Sequence, residues 1–114
     1  MISRISRRKD FDALRLEGRA VRRGPLRIRF RWATNSETFG CVRVAYGINR
    51  TVGNAVARNR LRRRIRAVIH DMDSREELPS GDYLIFTNPA AATATFLELE
   101  KALFFIAAEL KRDK

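Results

Sequence analysis

Asn54-Ala-Val-Ala-Arg-Asn-Arg-Leu-Arg-Arg-Arg-Ile-Arg66 is the stretch on which the reading of this chain turns. Arg58, Arg60, Arg62, Arg63, Arg64 and Arg66 crowd into it, with Asn59 among them. Apolar residues run through and past it at Leu61, Ile65, Val68, Ile69 and Met72, which is the spacing of a helix. At about 100° per residue these five fill one sector, with Ala57 at its edge, and the arginines fill most of the remainder. Asn59 projects between Arg66 and Arg63. A solvated face normally mixes both signs. Here no acid stands one turn away to relieve the repulsion before Asp71. A helix anchored on one side and carrying one sign of charge on the other presents guanidinium groups to a polyanion.

The surrounding composition agrees. The chain has 114 residues, enough for one domain with a core that needs no staples, and a formal net charge of +11. The excess lies early: residues 1–66 hold 19 Lys and Arg against four acids, and residues 67–114 hold five against nine. Twenty of the 24 cations are arginine, whose planar fork suits phosphate oxygens and stacks on bases. A lone cysteine, Cys41, excludes an internal disulfide and reads as a small buried strand residue. The amino terminus lacks the apolar run of a secretory signal, and Ala102–Ala108 is too short to span a bilayer. The expectation is a cytoplasmic protein without a membrane segment.

Around the arginine helix the pattern is mixed α and β. Ser6 is placed to cap a first helix that runs to about Glu17 and stops at Gly18, with Phe11 and Leu14 as a thin apolar stripe. Residues 19–25 read as a basic connector. Leu26-Arg-Ile-Arg-Phe-Arg-Trp32 alternates as a half-buried strand, with Arg27, Arg29 and Arg31 sharing one face, solvated or binding with equal weight. A turn over 33–38 leads to a second strand, Phe39–Ile48, expected antiparallel to the first, with Gly47 as a bulge or break. Asn54 is the expected N-cap of the arginine helix, which runs to about Met72. A polar loop to Gly81 precedes Asp82–Thr87, apolar enough to be central in the sheet. After a connector over 90–94, Thr95 and Glu98 form a capping box for a last helix to about Arg112. Its expected core stripe is Phe96, Leu99, Leu103, Ile106 and Leu110, with Phe105 projecting opposite.

Catalytic signals are missing. His70 is a lone helical histidine, no ligand cluster has metal spacing, and no nucleophile has an evident partner. Asp71, Asp73, Glu76 and Glu77 read as a solvated acidic loop. The polypeptide alone is not expected to perform covalent chemistry.

Val52-Gly-Asn-Ala-Val-Ala-Arg-Asn-Arg-Leu-Arg-Arg-Arg-Ile-Arg66 resembles the signature of the protein subunit of bacterial ribonuclease P. The order of elements is similar over nearly the whole chain, from Asp10-Phe11 in the first helix to the final helix. The resemblance implies an α+β fold, an α/β sandwich of order α-β-β-(β)-α-β-α spanning 1–114 as one RNA-binding domain, with a left-handed βαβ crossover against the usual rule. It implies a catalytic RNA that, with Mg²⁺, removes the 5′ leader of precursor tRNA, and a protein that grips the leader and lowers the metal demand. By position, Arg58, Asn59, Arg60, Arg62, Arg63 and Arg66, with Arg50, correspond to contacts with the RNA subunit. Phe11 matches an aromatic of the leader-binding surface. Arg15 and Arg29 stand where relatives often carry further aromatics, so the leader grip implied here leans on arginine. Arg64 is an addition to the motif. No obligate protein partner is implied.

The rival reading is a ribosomal or other RNA-binding protein with no catalytic partner, since arginine clusters attract any polyanion. A helix-turn-helix reader would need a helix just before the arginine helix, where the pattern is strand-like. A membrane-surface helix is disfavoured because no aromatic lies on the apolar side.

Overall fold

The computed structural model describes residues 2–33 and 40–112. Five strands, β1 (Ile2–Arg4), β2 (Arg19–Arg23), β3 (Leu26–Trp32), β4 (Val42–Gly47) and β5 (Gly81–Thr87), form one sheet in the order β1-β4-β5-β3-β2. Helix α1 (Arg8–Glu17) covers one face, and α2 (Ala55–Ser74) and α3 (Phe96–Arg112) cover the other. The α+β sandwich expected from the sequence is the observed architecture. β4 and β5 run parallel as neighbours and are joined through α2.

The main core lies between the sheet and α2/α3. Leu26, Ile28 and Phe30 from alternate positions of β3 meet Val42, Val44, Tyr83 and Ile85 on the same face. Leu61, Ile65, Val68, Ile69 and Met72 of α2 are all buried there, as their spacing requires. Leu99, Leu103, Ile106 and Leu110 supply the α3 side, with Ala102 and Ala107. Tyr83 is buried in this layer and donates its hydroxyl to the Pro79 carbonyl. Burial pushes its phenol well above the ordinary tyrosine value, and the charge of Asp73 acts in the same direction.

The opposite face is organised by register. Paired residues of neighbouring strands point the same way, so side chains line up in rows across the sheet. One row runs Arg31, Asp82, Arg43, Ser3. The next runs Ala20, Arg29, Leu84, Ala45, and the third Arg22, Arg27, Phe86, Gly47. Helix α1 lies over the first two. Arg43 holds Asp82 with two bonds of 2.7 Å and reaches Asp10 of α1 at 3.3 Å. Arg31 adds Asp82 at 3.6 Å and Glu17, at the far end of α1, at 3.4 Å. Arg29 donates to the carbonyls of Leu14, Arg15 and Gly18, closing the C-terminus of α1. Leu14 and Ile5 bury against Leu84 beneath the helix. Two arginines of this face of β3, Arg29 and Arg31, are therefore part of the clamp for α1 rather than a solvated surface, while Arg27 lies over the Phe86 ring.

Several expectations change. Ser6 does not cap α1: Ile5 still donates to the Val44 carbonyl at 3.1 Å, so the chain leaves the sheet later and Arg7 occupies the cap position. Gly18 does end α1, but in extended backbone, and glycine is needed because a Cβ would sit 2.2 Å from the Leu14 carbonyl oxygen. The supposed connector 19–25 contains β2, turned back by Gly24 at φ +55° into a hairpin with β3. β4 does not pair with β3, because apolar β5, buried on both faces, takes the place between them. β4 begins at Val42 and ends at Gly47, and Cys41 is half-buried just outside it. The turn expected over 33–38 and the strand start at Phe39 fall largely outside the described residues. Thr95 and Glu98 form the capping box, each side chain bonding the other's backbone N–H. Phe96 is nevertheless exposed, a turn ahead of Leu99 where burial begins.

Breaking a nearly buried ion pair on one side strands the other charge. Asp82→Ala is expected to lower the unfolding free energy in urea by about 3 kcal/mol, and Asp82→Ala with Arg43→Met by clearly less. Because folding keeps the proton on Tyr83 beyond the pH at which a free phenol releases it, the native state binds more protons there. Stability is thus expected to fall as pH rises past about 10, and Tyr83→Phe to flatten that decline in urea melts at successive pH values.

Candidate RNA-binding surface

The arginine helix is set by its cap and its buried side. Asn54 accepts from the Ala57 N–H at 2.9 Å, fixing where the helix begins and hence which side of each residue faces out. Just before it, Arg50–Val52 form a short 3₁₀ turn whose Val52 is buried. Asn49 accepts from the Thr51 N–H at 3.0 Å, which holds Arg50 outward and exposed.

The arginines then divide. Arg60, Arg63 and Arg66 are exposed, and Arg58 and Arg62 are half-buried. The Arg58 Nε is a buried donor without a partner among the described residues. Arg62 donates to the Asn59 Oδ1 at 2.7 Å, so Asn59 steers a guanidinium. Arg62 also lies 6.0 Å from the ring centre of Tyr46 on β4, and Arg66 acts on the Tyr46 hydroxyl from nearby. Burial raises the Tyr46 phenol, and Arg66 and the charge of Arg62 only partly offset this. Arg64, the arginine beyond the motif, points elsewhere, to the Ala94 carbonyl at 3.4 Å.

Between α2 and α1, along β1 and β4, runs a cleft of about 600 Å³. Phe11, Tyr46, Arg62, Arg66, Arg4 and His70 line it. Two groups that the sequence set apart, Phe11 and the motif arginines, therefore meet at one concavity. Arg50, Arg58, Asn59, Arg60 and Arg63 do not line it and stay on the outer side. Neither Arg15 nor Arg29 joins Phe11 in the cleft. Arg15 is exposed on α1, and Arg29 is committed to the carbonyls at that helix's end.

Tyr46 and Arg4 are the cleft residues that sequence reasoning missed. Tyr46 shares its parity with Val42 and Val44 and so reads as core; only its place at the strand end brings it under Arg62. Arg4 belongs to a three-residue strand too short to leave a period. Among the described residues, no three of His, Cys, Asp and Glu come together as a metal site. No helix among them is long and apolar enough to cross a membrane.

Comparison with known proteins places these features. The family model described as Ribonuclease P matches residues 2–111. The ribonuclease P protein component of Brucella suis is 35% identical over 108 residues, covering 90% of this chain and 75% of that protein. That of Listeria innocua is 27% identical over 103 residues, covering 90% and 83%. The solved structure of the Staphylococcus aureus RNase P protein superposes with a TM-score of 0.78 at 22% identity, covering 95% of this chain and 94% of that one.

The two sides of α2 make separable demands. Arg60→Ala or Arg63→Ala is expected to leave far-ultraviolet circular dichroism and the urea midpoint unchanged while weakening binding to structured RNA. Leu61→Ala or Ile65→Ala is expected to cost about 2–5 kcal/mol of stability. Equal unfolding in both pairs would mean the helix faces are misassigned.

Proposed function

The chain belongs to the ribonuclease P family as its protein subunit, and from that premise we propose how it divides the work between two surfaces. The outer side of α2, with Arg58, Asn59, Arg60, Arg63 and the neighbouring Arg50, binds the catalytic RNA subunit. The cleft, with Phe11, Tyr46, Arg62 and Arg66, holds the single-stranded 5′ leader of precursor tRNA. The observation that carries this reading is the meeting of Phe11 with Arg62 and Arg66 in one cleft bordering the exposed arginine face. An aromatic among guanidiniums suits unpaired nucleotides, whose bases stack while their phosphates are neutralised. Arg62 and Arg66 sit on the seam between the surfaces, so leader and RNA subunit would be held in fixed relation.

Arg15 is exposed one turn beyond Phe11 on α1 and can meet leader phosphates, whereas Arg29 serves the leader indirectly by holding α1. Leader affinity therefore depends on charge as well as stacking, and each phosphate contact adds about 0.7 to the slope of log affinity against log salt. Hydrolysis itself falls to the RNA with Mg²⁺, giving the mature tRNA 5′ end. The described residues do not fit a protein-held Mg²⁺, since the inward carboxylates Asp10 and Asp82 are engaged by arginine. The polypeptide contributes binding, orientation and screening of charge, as one RNA-binding domain acting in the cytoplasm. Family membership sets aside the alternative of a ribosomal or other RNA-binding protein with no catalytic partner.

Reconstitution tests this reading. With a bacterial ribonuclease P RNA at low Mg²⁺, the protein is expected to stimulate cleavage of precursor tRNA at the mature 5′ end, and the Mg²⁺ needed for half-maximal rate to fall. Cleavage rates that are the same with and without the protein would refute it.

A further inference from the structure

His70 is the chain's only histidine. It is exposed on α2 and lines the Phe11 cleft, and among the described residues its imidazole has no ion pair or hydrogen bond. Its position along the helix gives it meaning. Arg62, Arg66 and His70 follow one another at intervals of four residues, so they form one stripe along the cleft wall. At about 1.5 Å of rise per residue, each step of that stripe is roughly 6 Å long. This is comparable to the separation of successive phosphates in an extended single strand. A strand lying along α2 can therefore set one phosphate at each rung, with the third at His70.

The surroundings make the third rung conditional. Arg62 and Arg66 are cations at any physiological pH, whereas an ordinary imidazole changes charge at about pH 6.5. The groups that share the cleft with His70 include Arg4 from β1, Tyr46 from β4, Phe11 from α1, and Arg62 and Arg66 from its own helix. No carboxylate lines it. Beyond the cleft on α2, Asp71 is held by Arg75 at 2.8 Å, and Asp73 acts on Tyr83. Tyr46 stays neutral through the histidine range, since burial places its phenol above the ordinary value. The cleft thus gives His70 cationic neighbours and no acid to pair with an imidazolium. A phosphate lying beside the ring favours its protonated form, so binding there takes up a proton.

We propose that His70 is a proton-dependent phosphate contact that tightens the grip on long 5′ leaders as pH falls. The proposal rests on the reading of this cleft as the leader site. Leaders too short to reach the third rung do not gain the contact. Acidification therefore sharpens the preference for long leaders over short ones.

The test uses the holoenzyme reconstituted with ribonuclease P RNA and two precursor tRNAs of identical body, one with a long leader and one with a single leader nucleotide. The two compete in one reaction at a series of values between about pH 5 and 8. Both are cut at the same site, so the pH dependence of hydrolysis cancels in the ratio of their kcat/KM values. In the wild type the ratio is expected to shift toward the long leader by about fivefold on acidification, the order of one exposed charge contact. His70→Gln is expected to hold the ratio flat at its high-pH value, with an unchanged thermal midpoint. His70→Arg is expected to keep the high ratio at every pH and to steepen the long-leader salt slope by about 0.7 at the alkaline end. A wild-type ratio that does not change with pH, or a His70→Gln profile matching wild type, would overturn the proposal. In that case Phe11→Ala still lowering the ratio would leave the cleft reading intact. A ratio unmoved by Phe11→Ala and by Arg66→Ala would remove both.

Discussion

The bidentate pairing of Arg43 with Asp82, extended to Asp10, is the constraint on which the arrangement of the molecule depends. Asp82 is 4% exposed and Asp10 8%, so neither carboxylate has water to fall back on. Hydrogen bonding to Asp82 raises the Arg43 pKa against the opposing effect of burial. Such a pair need not stabilise the fold more than apolar side chains of the same volume would, but it has one geometry in which both charges are satisfied. That geometry ties the middle of the sheet to the first turn of α1. Arg31 with Glu17 and Arg29 with the terminal carbonyls fasten the other end. A helix with a thin apolar stripe thereby acquires a fixed position, and Phe11, one residue beyond Asp10, is delivered to the wall of the cleft.

The parts of the fold that are legible in the sequence are those where burial is one-sided and long. α2 is readable because its apolar spacing persists over several turns, so Leu61 through Met72 could be assigned to the core by angle alone. β3 is readable because Leu26, Ile28 and Phe30 alternate with arginine. The caps at Asn54 and at Thr95 with Glu98 are local chemistry and need no tertiary information. β1 and β2 are edge strands. Each is short, and β2 buries only Val21, so neither leaves a period to detect. Strand order is a tertiary fact: nothing in β3 or β4 alone says that β5 will come between them. The site divides the same way. The motif arginines are visible as a run, whereas Tyr46 is hidden by its parity.

The arginines therefore differ in role despite their common chemistry. Those of the two covered sheet rows have carboxylates or helix-end carbonyls as partners and are part of the scaffold. Arg23 and Arg75 lie over Phe105 and Phe104, where their planar groups shield aromatic surface on α3. Arg64 reaches the connector before α3, which gives the arginine beyond the motif a structural contact. Among the described residues, no ion pair or ring contact involves Arg60 or Arg63. Lysine could serve the last group as a point charge, but not the first two, because forks and stacks need the guanidinium plane.

This division explains how a chain of net charge +11 folds before it meets RNA. Repulsion among cations is worst where they are close and poorly solvated. The inward cations Arg31 and Arg43 are paired with the buried acids Asp82 and Asp10, which offsets charge in the low-dielectric part of the molecule. The uncompensated charge is carried on the outer side of α2, where water and salt screen it over roughly 10 Å. The same placement directs the field outward from that side of α2, where exposed guanidinium groups have donors left to give. Acids interspersed along α2 would have relieved the free protein and weakened that field. The sequence instead places its acids on the sheet, in the α1 clamp, and after residue 66.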